Sequence, residues 1–183
     1  MFRDRADAGK KLGEALDCYK RCDGIVLAIP RGGVEVGYYV AEHLELPLSI
    51  IVVRKLPFPT NPEAGFGAIA EDGSVFFVER FAGSLPPAVV RRIIRRQRHE
   101  IQRRIEVLRD RKPLPPVTGK TAILVDDGIA MGSTMRAAVK LCRSRKAKKI
   151  VVAAPVAGPA AAAEFAAIVD EVVILEKPPF FHA

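Results

Sequence analysis

Cysteine is scarce in this chain of 183 residues, with only Cys18, Cys22 and Cys142 present. An odd count without a regular framework argues against a disulfide scaffold and suits a reducing compartment. Cys18 and Cys22 would share a helix face. Histidine is equally sparse, and His43, His99 and His182 are too scattered to complete a zinc pattern with them. The opening MFRDRADAGKKL is charged and lacks the apolar centre of a secretory leader. The alanine-rich stretch 153–168 carries Pro159 and Glu164, too interrupted for a membrane span. A cytoplasmic protein is therefore expected, with no membrane partner.

What is present is a balanced globular composition, 49% hydrophobic and 27% charged, in a length that suits one domain with one substantial core. The net charge of +8 predicts an anionic partner, either a phosphorylated metabolite or nucleic acid.

Five apolar runs, GIVLAI, LSIIVV, TAILV, KIVVAAPV and EVVIL, are continuous rather than alternating, as buried parallel strands are. Helical stretches lie between most of them: VEVGYYVAEHL after the first and STMRAAVKLCRSRK after the third. An opening helix is expected over 6–19. The pattern predicts an α/β domain, a Rossmann-like parallel sheet flanked by helices with right-handed crossovers.

Residues 54–112 break the alternation and read as an insertion. RKLPFPTNPEAG, with three prolines, is expected to be a loop. GAIAEDGSVFFVE is expected to be a hairpin turning at Asp72-Gly73. A long helix follows over 86–112, with Val90, Ile94, Ile101, Ile105 and Leu108 on one stripe and arginines around the rest. That helix is the best case for nucleic-acid binding. Glu100 and Glu106 dilute its charge, and it lacks the aromatic platforms that single strands prefer, so nucleic acid is not the favoured partner.

The chemistry concentrates in TAILVDDGIAMGST, residues 121–134. A strand runs into Asp126-Asp127, then into a loop of small residues that ends where a helix begins. Free N–H groups and the dipole of that helix, with the Ser133 and Thr134 hydroxyls, suit a phosphate. The two carboxylates cannot serve the same anion and must face a metal, a cationic group or a pair of hydroxyls. A ribose 5-phosphate meets both demands. The plainer alternative is that the acids only cap the helix. A Walker loop is excluded because its lysine is missing, and no Gly-x-Gly-x-x-Gly marks a dinucleotide fold. A receiver domain would carry paired acids on its first strand, not the third.

VDDGIAMGST resembles the phosphoribosyl pyrophosphate (PRPP) signature of the type I phosphoribosyltransferases. Two further segments strengthen the resemblance: AIPRGG ending the first strand, similar to the family's pyrophosphate loop, and Arg54-Lys55 after IIVV, similar to a pair in adenine-type members. The order from FRDRADAGKKL to VDDGIA resembles a subgroup of predicted phosphoribosyltransferases of bacteria and archaea. The resemblance implies the type I phosphoribosyltransferase fold, with an inserted hairpin and long basic helix.

It also implies transfer of the 5-phosphoribosyl group from PRPP to a nitrogenous acceptor, with release of pyrophosphate. The 5-phosphate would lie on Gly128, Ile129, Ala130, Met131, Gly132, Ser133 and Thr134. The diphosphate would lie on Pro30, Arg31, Gly32, Gly33, Arg54 and Lys55, with the Pro30–Arg31 peptide cis. Asp126 and Asp127 would hold the ribose hydroxyls and bind magnesium through water. Asp126, Asp127, Arg31 and Lys55 are the implied catalytic residues, and Arg54 would reach the diphosphate across a homodimer interface. Residues 56–79 are a candidate lid. The alternative function is a PRPP-sensing regulator that binds nucleic acid, and a third is a substrate-binding remnant.

Two departures from the family pattern matter. Met131 stands where a threonine usually donates to the 5-phosphate, and losing such a bond costs about 1.5–3 kcal/mol. Ala130 stands where hypoxanthine-guanine members carry an aspartate, which argues against a 6-oxopurine acceptor. The tail EVVILEKPPFFHA is expected to stop short of a full hood, making 155–183 an incomplete acceptor hood with Phe180, Phe181 and His182 placed to stack on a base.

Overall fold

The computed structural model describes residues 2–81 and 83–179. Phe180, Phe181 and His182 lie outside the described residues. The expected apolar runs become one parallel sheet: β1 (Gly24–Ala28), β2 (Leu48–Ile50), β6 (Thr121–Val125), β7 (Lys149–Val156) and β8 (Glu171–Glu176), in the order β2-β1-β6-β7-β8. Because side chains alternate across a strand, each run serves two cores. Leu27, Leu124 and Val152 face one core with α4 (Ser133–Ser144) and α5 (Pro159–Ala166). Val26, Ile123 and Val151 face the other, under α1 (Arg5–Ala15) and α2 (Gly32–Leu44). Burial on both faces is why the runs are continuous. Of residues 155–179, much belongs to this layer, as α5 and as the edge strand β8.

The insertion differs from expectation at 54–65. It is not a loop but most of a hairpin, β3 (Val53–Phe58) and β4 (Asn61–Ala70), turning at Pro59-Thr60 and completed by β5 (Val75–Phe77). Prolines are tolerated here because Pro57 sits on the edge strand β3 at a break in register, Pro59 lies in the turn, and Pro62 lies on β4 outside its pairing with β5. The second turn is where expected, with Gly73 at φ +90° and the Asp72 side chain accepting from Ser74 N at 2.8 Å.

α3 (Pro87–Arg109) packs on this small sheet through Val90, Ile93, Ile94, Ile101 and Ile105, against Leu56, Phe66 and Ile69. Leu108, expected on the same stripe, is exposed, because the helix end turns on Arg109 instead. Arg109 Nη1 donates to Ile50 O (2.9 Å) and Glu71 Oε1 (3.0 Å), Nη2 pairs with the second Glu71 oxygen, and Val52 N donates to Glu71 Oε1 (3.0 Å). Both side chains are buried, at 7% and 5% exposure. Val52 thus gives its N–H to the insertion, and the run LSIIVV divides between β2 and β3.

Removing one partner of a buried ion pair strands the other charge. Arg109→Ala should therefore lower stability by about 3–5 kcal/mol in urea unfolding. Arg109→Met with Glu71→Leu should recover most of that loss.

Candidate active site

From β1 the chain winds outward to β2, then returns through the insertion to β6 on the other side of β1. Such a reversal opens a crevice at the carboxyl ends of the two strands, where α/β proteins bind ligands. β1 delivers Pro30–Gly33 to it and β6 delivers Asp126–Thr134.

The two segments touch. A side-chain carbon on Gly32 would fall 1.7 Å from Asp127 Oδ2, and one on Gly33 would fall 2.8 Å from Asp126 Cα. These glycines are thus required by the acids beside them, a constraint the sequence does not display. The Pro30–Arg31 peptide is cis, α2 begins at Gly32, and Arg31 is exposed at its cap.

The acids diverge. Asp127 N donates to Asp126 Oδ1 (2.9 Å), and Asp126 lines a cavity of about 330 Å³. The same cavity is walled by Gly128–Thr134, Lys55, Glu63–Gly65, Arg80 and Phe81. Asp127 turns into a separate recess and accepts from Arg5 Nε (3.0 Å) and Nη2 (2.8 Å). Asp4 caps α1 by accepting from Asp7 N (2.8 Å), which starts the helix where Arg5 faces the sheet end. Burial pushes the Asp126 carboxyl up to about 8, and the Asp127 charge reinforces it.

The loop is held from below. Ile129 N donates to Val156 O (2.9 Å), and its own carbonyl accepts from Gly158 N (3.1 Å). Gly132 has φ +68°, and a side-chain carbon there would strike the Phe165 ring at 2.6 Å, so a glycine is needed twice over. Arg136, between the rings of Phe76 and Phe165, donates to Met131 O (2.7 Å) and pairs with Glu164. The Met131 side chain is half exposed. Ser133 and Thr134 open α4 toward the cavity with the helix N–H groups.

Adjacent residues on β3 face opposite ways. Lys55 reaches the cavity, its Nζ donating to Glu63 O (2.6 Å). Arg54 faces α3 and donates to Gln97 Oε1 (3.1 Å), outside the cavity. The structure thus gathers Asp126, Gly128–Thr134 and Lys55 in one cavity and sets Gly32 and Gly33 against Asp127 and Asp126, while Pro30–Gly33 do not line that cavity and Asp127 and Arg54 face elsewhere. Of the segment 56–79, Phe66, Ala68 and Ala70 are buried, leaving the tip 57–65 more open.

Sequence reasoning missed Arg5, whose partner is 122 positions away, and Arg136, whose only signal was a basic residue in the first turn of the loop's helix. Among the described residues no three His, Cys, Asp or Glu groups cluster as a metal cage, and no helix is long and apolar enough to cross a membrane.

The sequence profile of the phosphoribosyl transferase domain matches residues 6–182. The chain belongs to that family. A Mycobacterium tuberculosis (H37Rv) protein provisionally named a phosphoribosyl transferase is 43% identical over the whole chain, which spans 42% of that relative's length. The uracil phosphoribosyltransferase of Aeropyrum pernix is 34% identical over 76% of the chain and 62% of its own. Among solved structures, the protein TT1426 of Thermus thermophilus is 37% identical, with TM-score 0.82 over 100% of this chain and 87% of its own. A hypoxanthine phosphoribosyltransferase of Staphylococcus aureus shares the fold at 16% identity, with TM-score 0.57 over 97% of this chain and 74% of its own. The parallel sheet flanked by helices is the type I phosphoribosyltransferase fold.

The raised Asp126 sets a pH dependence. Between about pH 4 and 8 the folded chain holds a proton that the unfolded chain has released, so stability falls as pH rises through that window. Asp126→Asn should flatten the slope, measured by urea unfolding across the window.

Proposed function

We propose that this domain binds PRPP and transfers its 5-phosphoribosyl group to a nitrogenous acceptor, releasing pyrophosphate. The observation that carries the reading is the single cavity shared by Asp126, the loop 128–134 and Lys55.

In this reading the N–H groups opening α4, with Ser133 and Thr134, hold the 5-phosphate. Arg136 fixes the loop through the Met131 carbonyl. Asp126 accepts from a ribose hydroxyl, and Asp127 does the same once it releases Arg5. Arg31, Lys55 and the N–H groups at Gly32 and Gly33 receive the diphosphate. The C1–O bond breaks as the acceptor nitrogen forms the C1–N bond, and positive charge builds on the ring. Lys55 and Arg31 stabilise the negative charge that departs with pyrophosphate. The hairpin tip and Phe81 wall the cavity and limit water.

Two diverging carboxylates do not form a cage for a resident metal. Magnesium is therefore assigned to the substrate as the counter-ion of its diphosphate, with Asp126 and Asp127 touching it through water. A cytoplasmic homodimer belongs to the same reading, and sedimentation tests the dimer.

The test is calorimetric titration of magnesium–PRPP. Met131→Thr restores the family's phosphate donor and should tighten binding about tenfold or more. Arg5→Ala frees Asp127 from a solvent-screened, exposed ion pair, so affinity should rise by no more than about fivefold. Unchanged affinity in both variants would contradict the assignment of the two residues to the PRPP site.

A further inference from the structure

Arg54 lines a cleft of about 570 Å³ between the hairpin tip and α3. Lys55, Arg92 and Arg96 line the same cleft. Four basic residues therefore border one concavity, with Lys55 shared with the neighbouring cavity. Arg54 is half-buried, yet its side-chain hydrogen bond goes to the neutral Gln97 rather than to a carboxylate. The carboxylate near it, Glu100, is engaged by Arg103 Nη2 (2.8 Å) and Arg104 Nε (3.1 Å). Burial, and after it the charge of Arg104, push the Arg54 guanidinium down. A recessed cation facing other cations is an unfavourable arrangement unless an anion enters.

The shape favours a small anion. Pro57, Pro59 and Pro62 stiffen the tip side, and Phe58 is braced edge-on against Phe66 and Phe81 at 5.5 and 5.1 Å between ring centres. Arg54 at the floor is reachable by a terminal phosphate, while a nucleic-acid backbone would meet only the exposed arginines of α3. The volume falls within the range of small-molecule sites.

The cleft also adjoins the PRPP cavity. Lys55 lines both, and Phe81, which braces Phe58, walls the PRPP side. We propose that this cleft is a second anion site, taking the di- or triphosphate group of a small phosphorylated molecule that competes with the substrate's diphosphate for Lys55. The competition rests on the function proposed above; the site itself does not. By linkage, an anion in the cleft and PRPP weaken each other's binding.

The test titrates inorganic tripolyphosphate into the whole chain by calorimetry at low salt, then into Arg92→Ala/Arg96→Ala. Both substitutions lie on an exposed helix face outside the PRPP cavity, and alanine keeps the helix. The wild type should bind two equivalents, and the variant should lose one, its cleft affinity falling about tenfold or more. A wild type that binds one equivalent, lost in the variant, would keep the cleft and contradict the PRPP reading instead. Equal binding by both proteins would overturn the proposal.

Two further arms separate the sources of phosphate. A single-stranded oligonucleotide that loses binding in the variant while tripolyphosphate does not would mark a nucleic-acid face and overturn it. Cleft binding seen by sedimentation only with PRPP and only in dimers would also overturn it, because the ligand would be a second copy's substrate.

Discussion

At the carboxyl ends of β1 and β6, Gly32 and Gly33 occupy space that any side chain would contest with Asp126 and Asp127. This close approach joins the segment Pro30–Gly33 to the segment that opens with Asp126-Asp127. It rests on the direct parallel pairing of β1 with β6, which places Ala28 opposite Val125 just before both segments begin. The double-sided burial of those strands fixes the pairing, so the core and the site are one construction. The helices that follow, α2 and α4, then start at the crevice with their N–H groups facing it.

The insertion acts on this centre from one side. Its base is locked by the buried Arg109–Glu71 pair, which takes hydrogen bonds to Ile50 and Val52 where the chain leaves the central sheet. That latch orients β3, and strand alternation then sends Lys55 and Arg54 to opposite faces. Lys55 borders both the cavity of the loop 128–134 and the cleft under α3, whereas Arg54 lines the cleft alone. The two cavities are neighbours because Lys55 borders both.

Much of this was legible in the sequence because it depends on local pattern. Continuous apolar runs announced buried strands, Asp72-Gly73 announced a turn, and the small residues after Asp126-Asp127 announced a loop opening a helix. What could not be read depended on contacts between distant segments. Nothing near residue 5 hints that Arg5 meets Asp127, and nothing near Arg54 says which face of β3 it takes. The prolines in 54–65 suggested a loop because local propensity cannot show that β3 lies at a sheet edge. Leu108 kept the helical period but fell off the stripe when Arg109 drew the helix end toward Glu71.

The central claim is that one cavity holds both the ribose and the 5-phosphate of PRPP, beside a separate place for its diphosphate. Phosphorus NMR of magnesium–PRPP tests it directly, because the 5-phosphate and the diphosphate give separate resonances. The account predicts that both shift together and saturate at one PRPP per chain. A shift of the diphosphate alone would place the ligand on the basic surface instead and contradict the account.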